Sequence, residues 1–319
     1  MVMLTLLSKK RLEEYWRFVV ERQRIWYKRF ILNEPYPWTL DPILQKYHFC
    51  NNYRELDKGT IYLIDKLTPF KTDREKVLFN VVMYRFFNSY GFFDKINGPL
   101  TPNNYEPYEF IKILDELISK GESIYSPAYV VCPPIIKPDY RAKSKHVQLA
   151  FILKVLSEKI NELIVKIDSA KTPKDSFEIL LKEIPGTNNF LAYEFWTDLT
   201  YFNFFKQGWT DNDFVNIGPG ARWGLNIIMG KDTKDYLLSQ EDYLKLILYI
   251  RDSMPKILEQ LGLIEEWLEI SYKQAYSNVP YLSLRNVEHS LCEYRKYWRI
   301  KNGRVGRRRL FKLEQSKIR

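Results

Sequence analysis

The stretch Glu183-Ile184-Pro185-Gly186-Thr187-Asn188-Asn189-Phe190-Leu191-Ala192-Tyr193 constrains the fold more than any other part of the chain. It reads as a helix, a tight reversal and a second helix. Pro185 cannot continue the first helix, because it has no N–H and its ring clashes with the preceding turn. Gly186 can take the positive φ that a sharp reversal needs. The second helix opens on small and polar residues. Its first N–H groups are therefore expected to be unpaired and to face outward, where a phosphate can accept from them. A Pro-Gly turn is also an ordinary way to join two helices, so the rest of the chain must decide its purpose.

Charge narrows the partners. Lys and Arg number 49 against 39 Asp and Glu, for a net charge of +10 over 319 residues. That excess fits a polyanionic partner, DNA above all, although a Lys-rich composition alone also produces it. Aromatics reach 16%, with 23 Tyr and 8 Trp, enough to fill a core and still leave rings for stacking on bases. Cys50, Cys132 and Cys292 lie far apart, and the only histidines are His48, His146 and His289. No pair has metal-ligand spacing, so neither a zinc site nor a disulfide framework is expected, and a reducing cytoplasm is the expected location. No membrane partner is expected, since no run of about eighteen apolar residues and no signal peptide is visible; nor is a cofactor or an obligate protein partner expected.

The hydrophobic periodicity predicts a mainly helical chain without internal repeats. Helices are expected over 12–32, 41–58, 73–89, 106–120, 145–169, 240–261, 264–277 and 283–298, with another running from Thr172 into the hairpin. Asp41 with Pro42, and Thr172 with Pro173, look like N-caps followed by a first-turn proline. Residues 125–134 form the one convincing extended run. The tail from Arg304 to Arg319 is strongly basic, and reads either as a solvated end or as a phosphate-binding arm.

Four segments stand out together. They are Pro37-Trp38-Thr39-Leu40-Asp41-Pro42 continuing through Tyr47-His48-Phe49-Cys50-Asn51-Asn52-Tyr53-Arg54-Glu55-Leu56-Asp57, then 189–199, then Asp213-Phe214-Val215-Asn216-Ile217-Gly218-Pro219-Gly220-Ala221-Arg222-Trp223-Gly224, then 286–297. They resemble the α-glutamyl/putrescinyl thymine pyrophosphorylases and the helical domain attached to phage 5-hydroxymethyluracil DNA kinases. The resemblance runs from about Arg22 to Arg309. It implies membership of the wider helix-hairpin-helix DNA glycosylase superfamily, some of whose relatives look like antiphage glycosylases. The fold implied is a helical glycosylase-like domain over 1–303, undivided or as two lobes flanking a cleft, with little or no β structure, followed by the basic tail 304–319.

An enzyme acting on a DNA base extrudes it and holds it between apolar walls. Trp38, Tyr53, Phe190, Tyr193 and Trp223 are candidate walls, although a core position is the commoner role for each such residue. The resemblance makes Asp213 the candidate catalytic carboxylate, with Asp211 and Asp198 in reserve. A carboxylate there stabilises the charge on the sugar or orients water; the structural alternative is that Asp213 merely caps a helix. Gly186, Thr187, Asn188 and Asn189 of the hairpin are candidate DNA contacts. So are Gly218, Gly220 and Arg222, where backbone amides can approach an anion, and Arg54, which can also simply pair with Asp57. Phe190 stands where related bifunctional glycosylases carry a lysine, which implies a monofunctional enzyme. The leading expectation is therefore excision of a hydroxymethylated or further decorated pyrimidine from DNA. The alternative is a hypermodification transferase that displaces pyrophosphate from an activated 5-hydroxymethyluracil with an amine or amino acid, and a third is a non-catalytic DNA-binding module. No Gly-x-x-x-x-Gly-Lys-Ser/Thr motif is present, so the chain is not expected to be a P-loop kinase itself.

Overall fold

The computed structural model describes residues 6–126, 144–272, 281–304 and 309–313. Among these residues the chain forms fourteen α-helices: α1 (Lys9–Phe30), α2 (Pro42–Lys46), α3 (Lys58–Leu67), α4 (Arg74–Phe87), α5 (Phe92–Lys95), α6 (Pro107–Ser119), α7 (Lys145–Ser169), α8 (Pro173–Glu183), α9 (Asn189–Thr200), α10 (Pro219–Ile228), α11 (Gln240–Asp252), α12 (Met254–Gln260), α13 (Ile264–Ile270) and α14 (Leu284–Lys301). The only β pairing among them is a single antiparallel bridge between Tyr47 and Leu310. The mainly α expectation holds. Of the extended run expected at 125–134, all but its first two residues lies outside the described residues. No helix among the described residues is long and apolar enough to cross a membrane.

The chain divides into two compact units, one of Met1–Asp57 with Ile217–Arg319 and the other of Lys58–Asn216. In the first, α1 packs against α10, α12, α13 and α14. Tyr15 and Trp16 are fully buried on its inner face, and the Tyr15 hydroxyl lies 2.7 Å from Ser290 Oγ on α14. In the second, α4 is the central helix, buried from Val77 to Phe87, and it packs against α7 and α9.

Caps explain why several helices begin where the sequence says. Thr172 and Asp175 form a reciprocal capping box at α8, an arrangement that contributes about 1 kcal/mol. The hairpin is present: α8 ends at Glu183, Gly186 takes φ +88°, and the Asn188 side chain caps α9 by accepting from Leu191 N at 2.9 Å. One of the N–H groups expected to face outward is already used locally, because Leu191 N donates to Asn188 Oδ1, and the turn before it is closed by Thr187 N donating to Ile184 O.

Three expected helices are corrected. The run 41–58 is not one helix: α2 stops at Lys46, the chain extends, and a 3₁₀ turn covers Arg54–Leu56 before α3. The run 240–261 is two helices, divided at Ser253 because Pro255 suits the first turn of a new helix and not the interior of an old one. The helix expected at 264–277 stops at Ile270, and its last residues lie outside the described ones. Part of the tail also differs from a solvated end. His48 N donates to Arg309 O at 2.9 Å, Phe311 N donates to Lys46 O at 3.0 Å, and the Phe311 ring stacks on Tyr36.

Inside the second unit, Arg85 on α4 makes a two-pronged ion pair with Asp198 on α9, at 2.5 and 2.6 Å, with 2% and 1% of the two side chains exposed. Glu194, one turn earlier, lies 3.5 Å from the same guanidinium. Stranding one member of such a pair costs about 3–5 kcal/mol. Asp198→Ala is accordingly expected to lower the unfolding free energy by about that amount in urea denaturation. An unchanged midpoint would show that Asp198 does not anchor α9 to α4.

Candidate functional site

Helix α14 carries an unusual density of buried polar groups: Arg285, Asn286, Glu288, Ser290 and Glu293 are each at most 6% exposed. It can lie where it does because α10 is nearly bare on the facing side. A Cβ at Gly224 would stand 2.4 Å from the Leu291 carbonyl oxygen, and one at Gly220 would stand 2.7 Å from Cys292 Sγ. Gly218 is the N-cap of α10, and a Cβ there would come within 3.6 Å of Glu288 Oε1. The Gly-Pro-Gly sequence, read as a cradle for an anion, thus serves first to seat one helix against another.

The loop from Phe49 to Asp57 closes the other side. Asn286 Oδ1 accepts from Arg54 N at 2.8 Å, while its Nδ2 donates to Glu55 Oε2 at 3.3 Å, so one amide brackets the 3₁₀ turn. Arg22 of α1, itself buried, donates to Phe49 O, Cys50 O and Asn51 Oδ1. Glu293 Oε2 accepts from Cys50 N at 3.1 Å. Asn51 N donates to Asp57 Oδ1 at 3.2 Å. The second carboxylate oxygen of Asp57 lies 3.5 Å from both Arg54 Nη1 and His289 Nε2.

Burial sets the protonation states. It pulls the His289 imidazole down to about 4, against the opposing pull of Asp57, so the ring is neutral at neutral pH. Burial also pushes the thiols of Cys50 and Cys292 well up, helped by Glu293 and Asp57 in one case and Glu288 in the other. Burial alone would raise the Glu293 carboxyl. Lys296 at 2.6 Å, His289 and the Cys50 amide outweigh it, and hold Glu293 below the usual carboxylate range. Arg285 and Glu288 form a second buried pair at 2.7 Å. The corner is a buried, charge-balanced polar network, which is where altered proton affinities mark a candidate site.

The family profile described as "5-hmdU DNA kinase, helical domain" matches residues 9–307 of the chain. The chain belongs to this helical-domain family. It is 30% identical over 301 residues to the 5-hmdU DNA kinase of Bacillus phage SP10, covering 89% of this chain and 44% of that protein. The chain therefore spans less than half the length of that curated relative. No solved structure matches it. Neither match names a glycosylase.

Placed on this helical domain, the residues singled out in the sequence separate. Arg54 enters the α14 corner. Gly218 and Gly220 sit beside it. Arg222, by contrast, stacks on Tyr236 at 3.5 Å and donates to Lys234 O, pinning the loop after α10. Trp223 lies under Arg295 and Arg299, and its Nε1 donates to Asp232. Tyr53 is wholly buried and stacked on Trp267, and Trp38 is buried among Tyr36, Phe311 and Arg29. In the second unit, Tyr193 packs on Phe177 and Phe214 in the core, whereas Phe190 is 52% exposed beside the hairpin. Asp198 is committed to Arg85, and Asp211 is fully buried. Asp213 is exposed and accepts from Thr210 N and Oγ1 at 2.7 and 2.8 Å, closing a local turn. It caps no helix, since the next one begins at Pro219.

The sequence gives Arg285, Asn286 and Lys296 no role, because polar and charged residues at helical spacing look the same whether buried or solvated. The signal that separates them is the glycine pair at 220 and 224, four apart on one face of α10.

Gly224→Ala is expected to destabilise the protein by at least about 2–3 kcal/mol, since its Cβ meets backbone that cannot rotate away. Gly220→Ala meets only a thiol, so Cys292→Ala added to it should recover most of the loss. Thermal unfolding of the two single variants and the double variant checks this; absence of recovery would contradict the packing account.

Proposed function

We propose that the chain acts on 5-hydroxymethyluracil-type bases in DNA as a transferase that replaces a phosphorylated leaving group on the 5-methylene carbon with an amine. The observation that carries this reading is the buried, charge-balanced network on α14, lying within a segment matched by a DNA-kinase helical domain. A 5-hydroxymethyl group leaves poorly as hydroxide, and phosphorylation turns it into a good leaving group. A helical domain of the kind found in a 5-hmdU DNA kinase suits the step that consumes the phosphorylated base.

The chemistry makes two demands. The amine nitrogen forms a bond to the methylene carbon as the carbon–oxygen bond breaks, and the phosphate or pyrophosphate departs with the electron pair. The new ammonium then loses a proton to a base. Arg285 paired with Glu288, and Lys296 paired with Glu293, supply cation and carboxylate together. A phosphate that takes up the cation frees the carboxylate to accept the proton. Arg54, three residues before Asp57, is a further cation for the leaving anion or the DNA backbone. Excision of the base is less well supported. Asp213 is exposed and tied into a turn, whereas a charge-stabilising carboxylate works best where water is excluded.

The test is incubation of the protein with duplex DNA bearing 5-(pyrophosphomethyl)uracil and a diamine or amino acid, followed by mass spectrometry of the nucleosides. Amine-linked thymidine and pyrophosphate in equal amounts, without abasic sites, are expected. Free modified base with matching abasic sites would overturn the transferase reading in favour of glycosidic cleavage. DNA binding should also weaken on the order of 10³-fold between about 50 and 200 mM salt if six or more phosphates are neutralised. Affinity that ignores salt would show the net charge of +10 to be incidental.

A further inference from the structure

We propose that Cys50, Asp57 and His289 form a three-ligand site for a divalent transition metal of the zinc class, with a fourth position left for water or substrate. This inference rests on the local geometry and not on the transferase reading. One ligand atom from each of the three residues lies within 4.8 Å of the others. The distance from Asp57 Oδ2 to His289 Nε2 is 3.5 Å. Ligand atoms held 2.0–2.3 Å from a tetrahedral zinc stand roughly 3.3–3.7 Å apart, so one contact already has the right span and the others need to close by about 1 Å at most.

The surrounding bonds aim these atoms at one another. His289 Nε2 is buried and makes no hydrogen bond, although its side chain is only 14% exposed. A buried ring nitrogen normally has a partner, and one without a partner calls for an explanation such as a missing ion. Asp57 uses Oδ1 to accept from Asn51 N, which leaves Oδ2 turned toward the histidine. The carbonyl of Cys50 is held by Arg22, and its amide by Glu293, which stands one turn after His289 on α14. These contacts fix the ligands from outside, as the partners around known metal sites do.

Charge and ligand type agree with the assignment. A thiolate, a carboxylate and a neutral imidazole carry two negative charges, which a divalent ion cancels. Sulfur and nitrogen donors in this mixture select zinc or cobalt over magnesium or calcium. Binding forms a metal–sulfur bond and releases the thiol proton to solvent. Arg54, 3.5 Å from Asp57 Oδ2, competes for the same oxygen, so metal entry must displace that contact. Sequence spacing hides the site, because two of its ligands precede the third by more than 230 positions.

The test uses tag-free, metal-stripped full-length protein titrated with Co(II) and then Zn(II). One equivalent of cobalt is expected to give tetrahedral visible bands and a thiolate-to-metal charge-transfer band, with zinc displacing it. Calorimetry in buffers of different ionisation enthalpy should register about one proton released. Cys50→Ser should abolish the charge-transfer band. Asp57→Asn and His289→Gln should each weaken binding on the order of 100-fold, with circular dichroism unchanged. Cys292→Ser should keep the band. Wild-type protein that binds no cobalt at stoichiometric concentration overturns the proposal, whatever the variants do. So does a charge-transfer band that survives Cys50→Ser or disappears with Cys292→Ser.

Discussion

The close approach of α10 to α14 is the contact on which the first unit's polar corner depends. At Gly224 the two helices touch through backbone, and no side chain larger than hydrogen fits against the Leu291 carbonyl. That approach brings Glu288 beside the start of α10. From its other side α14 presents Asn286 and Glu293 to the loop that holds Cys50 and Arg54. Lengthening any side chain in the seam would move α14 and, with it, every charge on it.

Burying so many ionisable groups is costly, and the structure offsets the cost by pairing them. Arg22 fills its donors with loop oxygens, Glu293 takes Lys296 and a backbone amide, and Arg285 takes Glu288. Such pairs add little net stability compared with apolar residues of the same size, while breaking one is expensive. Their presence is therefore better explained by function than by folding. The Arg85–Asp198 pair of the second unit has a different character: it joins two core helices, with Glu194 and the Tyr84 ring beside the guanidinium.

Much of the helical layout was legible. Lys145–Ser169 is found with the expected bounds, and the caps at Asp41 and Thr172 sit where the residue types place them. The break inside 41–58 was not legible, because no Gly or Pro marks it. Tertiary contacts impose it: Arg22, 27 and 28 residues away, captures the carbonyls of Phe49 and Cys50 and draws the chain out of helix. The site was legible only in pieces. Arg54, Gly218 and Gly220 could be named from their segments, but their convergence on α14 depends on chain-distant packing. Asp198 could not be told from a catalytic carboxylate until its buried partner on α4 was seen. The family was readable from four ordered motifs, and the profile match over 9–307 agrees with it.

The most direct measurement is zero-length photocrosslinking from a photoreactive uracil placed at the target position of a DNA duplex, with the crosslinked peptides mapped by mass spectrometry. If the polar corner on α14 receives the base, crosslinks fall in the peptides covering 49–57 and 284–297. Crosslinks confined to the hairpin at 184–193, or to the turn around Asp213, would contradict that claim and place the base in the second unit.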